Sequence, residues 1–204
     1  MGIEAYQFKP DTENGSAAQP DRDPLAYPEF RNFGFESQLG KGAQQRIPGD
    51  LLRCMPSKGV LVRGPIPPTA WLRNFYFCVR PEVKEIIEEL EPGVHQFIPF
   101  QVFENYDQRS KPFEYFTVYI SQRINEIDEA RSDVRWTENV FNGKVMRSWK
   151  KKSTALTLRS EAIAGKHLWH NSMAIIDLMS GELHDRLADG RLLSGLELQK
   201  QNVV

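Results

Sequence analysis

The chain has 204 residues, 40% of them hydrophobic and 26% charged, with a formal net charge of −1. Such a composition suits a globular protein with a sizeable core, and it supplies no global field that would favour nucleic acid. Two cysteines, Cys54 and Cys78, exclude a disulfide framework, and no apolar run approaches the ~18 residues that a membrane span needs.

Residues 1–70 hold nine of the thirteen prolines and eight of the fourteen glycines, which predicts loops, turns and short pieces. Tyr6, Phe8, Tyr27, Phe30, Phe33 and Phe35 are scattered through this third. Disordered segments are poor in aromatics, so it is expected to wrap over the core as extended cover. Asp11 to Asp23 (DTENGSAAQPDRD) reads as a mobile polar loop, and Pro65-Ile66-Pro67-Pro68 as a stiff lead into the first main strand. Glu4 and the lack of an apolar run near the N-terminus predict no secretory signal, so the expected compartment is the cytoplasm.

The clearest local pattern runs from Phe75 to Phe103. Phe75 to Val79 is a short apolar strand, and Pro81 suits a first helical position because its missing N–H would have had no partner there. Val83, Ile86, Ile87 and Leu90 follow as one helical stripe, with five acids (Glu82, Glu85, Glu88, Glu89, Glu91) against Lys84 on the wet side. Pro92-Gly93 ends the helix, and His95 to Phe103 resumes as a strand. Further on, Glu114 to Ile127 alternates as one long or bent strand, and Thr154 to Leu158 as another. Near the C-terminus the plan recurs: strand Ala174 to Met179, cap Ser180, a short helix with Leu183 and Leu187, a stop at Asp189-Gly190, and strand Gly195 to Gln199. Both strand–helix units are expected to feed one main sheet.

Several residues invite a chemical reading. His167 and His170 have an HxxH spacing, but a zinc site wants a third ligand and hydrolysis wants a general base, and in a strand the two rings point to opposite faces. Structural histidines are the expectation, with no metal and no cofactor. His95 in its aromatic strand is expected to be packed, and Cys78 to be a buried inert thiol. Lys144 to Lys152 (KVMRSWKKK) mixes cations with Trp149, as nucleic-acid binders do, although a solvated basic turn between strands is the simpler reading.

The aromatic strand before Arg80, Glu85 to Phe100 (EIIEELEPGVHQFIPF), Ala164 to Trp169 (AGKHLW) and the Ser180-capped helix ending at Gly190 resemble an immunity-protein family of bacterial polymorphic toxin systems, the eleventh in the numbered Imm series. The resemblance spans roughly Trp71 to Gln199. It departs at Arg80, where a small polar cap like Ser180 would be expected. It implies a small, non-enzymatic cytoplasmic protein that binds and neutralises a cognate toxin encoded nearby. The expected fold is α+β: a single domain with one mixed sheet, two or three helices packed on it, and a loop-rich segment 1–70 wrapping a core of 71–204. Trp136, Arg147, Trp149, Lys150 and Lys151 on the basic side, and Glu85, Glu88 and Glu89 on the acidic helix, are the candidate partner-binding residues. A nucleic-acid-binding or regulatory role for 144–152 is the alternative.

Overall fold

Two amphipathic helices and a dozen alternating strands have more apolar surface than one sheet can cover, and the chain builds two sheets rather than the single mixed sheet expected. The computed structural model describes residues 3–11, 17–21, 23–30, 46–61, 66–72, 76–104, 111–132, 134–141, 144–151, 156–171, 174 and 176–204; at 17, 18, 25, 71, 72, 76 and throughout 134–151 the description is of backbone. The strands are β1 (Ala5–Pro10), β2 (Ala17–Pro20), β3 (Lys58–Leu61), β4 (Thr69–Leu72), β5 (Tyr76–Val79), β6 (Gln96–Phe103), β7 (Phe113–Tyr119), β8 (Arg123–Ile124), β9 (Val134–Phe141), β10 (Lys144–Lys151), β11 (Thr157–Leu158), β12 (Leu168–Asn171), β13 (Ile176–Ser180) and β14 (Leu196–Val203). The helices that bear on the argument are α1 (Pro81–Leu90), α2 (Ser160–Ile163) and α3 (Gly181–Asp189).

Six strands close into a barrel in the order β2-β3-β6-β7-β5-β4, and six form a second sheet in the order β11-β14-β1-β13-β12-β8. Both follow one pairing plan. The four central strands are antiparallel in each, β4-β5-β7-β6 and β12-β13-β1-β14. Each foursome is flanked by parallel pairings, β2 on β4 and β3 on β6 in the barrel, β8 on β12 and β11 on β14 in the other sheet. The registers agree as well: Val79 lies opposite Phe116, itself opposite Pro99, just as Met179 lies opposite Tyr6, itself opposite Lys200. The barrel is completed by the β2–β3 ladder, while the second sheet has a single antiparallel bridge, Ile127 to Leu158, at the same place. The two strand–helix units therefore feed different sheets, which corrects the expectation that they share one.

Four described segments of the N-terminal third are sheet strands. β1 is an inner strand of the second sheet, between β13 and β14, and β2 to β4 are half of the barrel. Residues 17–20, inside the stretch expected to be a mobile loop, are a barrel strand. The prolines permit this because Pro10 and Pro20 are the last residues of their strands, where a missing N–H costs the ladder little. Tyr27 and Phe30 join a separate cluster with Ile47, Leu51, Cys54 and Met55, whereas Phe33 and Phe35 lie outside the described residues. The long strand expected over 114–127 is divided: β7 stops at Tyr119, and the chain crosses through 120–122 to start β8 in the other sheet.

The largest core lies where the two halves meet. α1 packs on β5 and β7, α3 on β13 and β1, and the helices on each other. Val79, Val83, Ile87 and Val118 from one half meet Met179, Leu183, Leu187 and Phe8 from the other, position for position the same sites of the plan. Each such buried aliphatic or aromatic side chain contributes about 1.5–3 kcal/mol.

Candidate functional site

A buried cluster of titratable groups lies at the joint between the halves. Glu91 follows α1, where the helix dipole disfavours an acid, so its carboxylate needs donors from elsewhere. It has four. Oε1 accepts from the His167 backbone N–H at 2.9 Å and from Gln122 Nε2; Oε2 accepts from the Leu168 N–H at 3.0 Å and from His95 Nε2 at 2.7 Å. The Ser121 N–H reaches His95 Nδ1 at 3.3 Å, which makes Nε2 the donor toward Glu91. Burial alone would raise the Glu91 carboxyl, but the hydrogen bonds from His95, His167 and Gln122 hold it below the ordinary range. Ser121, His95 and Glu91 thus resemble a hydrolytic triad in composition. The geometry is otherwise: serine meets the ring through its backbone N–H, the Ser121 hydroxyl donates to the Tyr119 carbonyl at 3.4 Å, and all three residues are buried. A nucleophile must reach substrate and pass its proton to the base, and this hydroxyl does neither. The cluster fastens α1 of the barrel to β12 of the second sheet.

A second buried acid, Glu126, accepts from Trp169 Nε1 at 3.1 Å and Asn171 Nδ2 at 3.0 Å, and burial pushes its carboxyl above the usual range. His167 and His170 are separately engaged, His167 Nδ1 with Ser180 Oγ at 3.0 Å and His170 Nδ1 with Asp177 Oδ1 at 2.7 Å. Among the described residues no group of three or more His, Cys, Asp or Glu is placed to hold a metal ion. Burial pushes the Cys78 thiol up to about 12, which keeps it protonated and unreactive at neutral pH. The sequence reading placed Glu91 on the wet face and overlooked Gln122 and Glu126; an acid at a helix C-terminus was the available signal for Glu91.

The eight candidate partner-binding residues fall on two separate elements. Glu85, Glu88 and Glu89 are on α1, where Glu88 pairs with Lys84 at 2.6 Å, Glu89 with Arg186 of α3, and Glu85 stays exposed. Trp136 lies on β9, and Arg147, Trp149, Lys150 and Lys151 on β10. Lys144–Lys151 is therefore a strand of a two-stranded ribbon, not the basic turn expected, because it alternates and matches β9 residue for residue from Lys144↔Phe141 to Lys151↔Val134. Lys152 lies outside the described residues. A surface cleft of about 460 Å³ lies beside the start of α1, lined by Arg80, Glu82, Lys111, Phe113 and Glu114 among others. Its charges are mixed in sign and select no ligand.

Both buried acids of this α+β protein described above, Glu91 and Glu126, are thus committed to internal donors. The model of the immunity protein family (Imm11) matches residues 7–203, nearly the whole chain, and the chain belongs to that family. No curated protein is similar enough to count as a match. Immunity proteins of polymorphic toxin systems neutralise a toxin, so membership implies a cognate toxin as partner and a role that is typically non-enzymatic. No described helix is long and apolar enough to cross a membrane.

Proposed function

We propose that the protein neutralises its cognate toxin by stoichiometric binding, covering the toxin's active site or substrate groove without chemistry of its own. Membership of the immunity family carries this reading. The buried state of the Ser121–His95–Glu91 cluster supports the non-catalytic part. A stable cover of this kind buries roughly 800 Å² on each partner, with a few aromatic or Arg anchors holding most of the energy. Trp136, Arg147, Trp149, Lys150 and Lys151 of β9 and β10 are one set of candidate partner-binding residues, and Glu85, Glu88 and Glu89 of α1 the other.

The test is a titration of purified protein against the toxin domain encoded by the neighbouring reading frame, read as residual toxin activity. Inhibition should follow occupancy and be complete at a fixed molar ratio. Inhibition that continues to accumulate with time at substoichiometric protein indicates turnover and contradicts the proposal.

A further inference from the structure

We infer that the β9–β10 ribbon is the arm that seizes the toxin, docking on an acidic patch of its surface; this rests on the reading of the chain as a toxin-binding immunity protein. Twelve of the fourteen strands have a counterpart in the shared pairing plan, and β9 and β10 have none. They pair only with each other among the described residues, and they lie in the chain between β8 and β11. The corresponding connection of the barrel, between β2 and β3, instead carries the Phe30, Ile47, Leu51, Cys54 and Met55 cluster, which packs against Ile98 and Tyr119. The ribbon is thus surplus to the plan that builds both sheets.

A two-stranded ribbon by itself is marginal in water, and the outer edges of this one have no ladder partner among the described residues. Its two sides differ in composition. Strand alternation and register put Val134, Trp136, Val140, Val145 and Trp149 on one side, with Trp136 directly opposite Trp149. By register Glu138, Arg147 and Lys151 belong to that same side, while Arg135, Lys144 and Lys150 belong to the other with Phe141 and Met146. Paired tryptophans with a neighbouring arginine have the composition of a binding hot spot.

Charge selects the occupant. Five basic residues (Arg135, Lys144, Arg147, Lys150, Lys151) and Glu138 give the ribbon a net charge of +4, so in a protein of net −1 everything else carries −5. Nucleic acid is a long uniform anion and would meet that negative remainder as soon as it extended past the ribbon. A protein partner with a confined acidic patch meets the positive arm alone, and the opposed fields of the two ends orient the encounter. At about 3.4 Å per residue an eight-residue ribbon is roughly 27 Å long, so two buried faces about 10 Å wide cover much of the ~800 Å² a stable interface needs from one side.

The experiment uses the full chain and the toxin domain from the neighbouring reading frame. Binding is titrated at about 50 and about 200 mM salt for the parent, for Lys144→Glu/Arg147→Glu/Lys150→Glu, for Trp136→Ser/Trp149→Ser, and for Glu104→Lys, at an exposed position just after β6, as control, each with its urea midpoint. A 20-base-pair DNA duplex serves as the second probe. The expected result is a parent complex that weakens with salt, a loss of about 100-fold or more in both ribbon variants, an unmoved Glu104→Lys control and unmoved midpoints. Toxin binding by the ribbon variants within about threefold of the parent overturns the inference and leaves the proposed function standing. Failure of the parent to bind the toxin overturns both. Submicromolar, lysine-dependent binding of the duplex at physiological salt assigns the ribbon to nucleic acid instead.

Discussion

At the scale of single residues, the two buried glutamates respond to pH in opposite directions. Glu91 is held below its ordinary value of 4.5 once folded, so its contribution is complete above that pH and is lost as pH falls from there through the lower folded value. Glu126 is raised, so its contribution is complete below the same ordinary value and is lost as pH rises through the folded value. Glutamine keeps the shape of each side chain and removes the titration. Measured by urea unfolding from about pH 7 down to about pH 4, the stability of the parent relative to Glu91→Gln should fall, and its stability relative to Glu126→Gln should rise. Glu91→Ala, which strands four buried donors, should cost about 3–5 kcal/mol at neutral pH. Parallel pH trends for the two glutamine variants would show that one of these environments is misassigned. Neither role was legible in the sequence beyond the dipole argument at Glu91, because the donors other than His95 come from positions 31 to 77 residues away.

At the scale of the elements, the strand–helix–strand units were legible because their stabilising features are local. An apolar stripe, Pro81 at a first turn and Ser180 at a cap act within a few residues, and α1 and α3 begin where those signals put them. The difference at the two helix starts has a measurable consequence. The Ser180 hydroxyl accepts the Leu183 N–H at 3.1 Å, while Arg80 makes no side-chain cap and instead pairs with Glu82 at 2.9 Å. An exposed ion pair of that kind contributes at most about 1 kcal/mol, and a missing cap costs a similar amount. Ser180→Ala should therefore destabilise by about 1 kcal/mol or more, since His167 loses its partner too, whereas Arg80→Ser should be neutral to stabilising by about 0.5–1 kcal/mol. Thermal midpoints of the two variants check this, and an equal loss in both would mean that Arg80 has a packing role. α3 ends at Asp189-Gly190 as expected, with Gly190 in the right-handed region and Arg191 in the left-handed one at φ 56°.

At the scale of the whole molecule, the repeated plan was only partly visible because the two sheets fill their interiors with opposite choices. At matching register positions the barrel has Gly59, Ala70, Cys78 and the large Phe100 and Tyr115, where the second sheet has Leu158, Trp169, Leu178, Gln201 and the small Ala5. A Cβ on Gly59 would come within 2.7 Å of the Phe100 ring, so the sizes compensate within each sheet and cannot be exchanged singly. Sequence similarity survives mainly in the helices, while the geometry is kept throughout. The second obstacle was order: β7 follows β6 along the chain, but its counterpart β1 precedes everything else in the plan. β1 and β14 are antiparallel neighbours, with Ala5 opposite Gln201, so Val204 and Ile3 lie side by side. A circular permutant that joins Val204 to Ile3 through a short flexible linker and opens the chain between Pro10 and Ala17 would make both repeats contiguous. It should unfold within about 1 kcal/mol of the parent, since loop closure of a few residues changes little and all ladders are retained. Deleting residues 1–10 without reconnection should instead remove a central strand and expose the edges of β13 and β14, abolishing cooperative unfolding of the second sheet. Near-native stability in the deletion, or collapse of the permutant, would show that β1 is not the strand that completes the repeat.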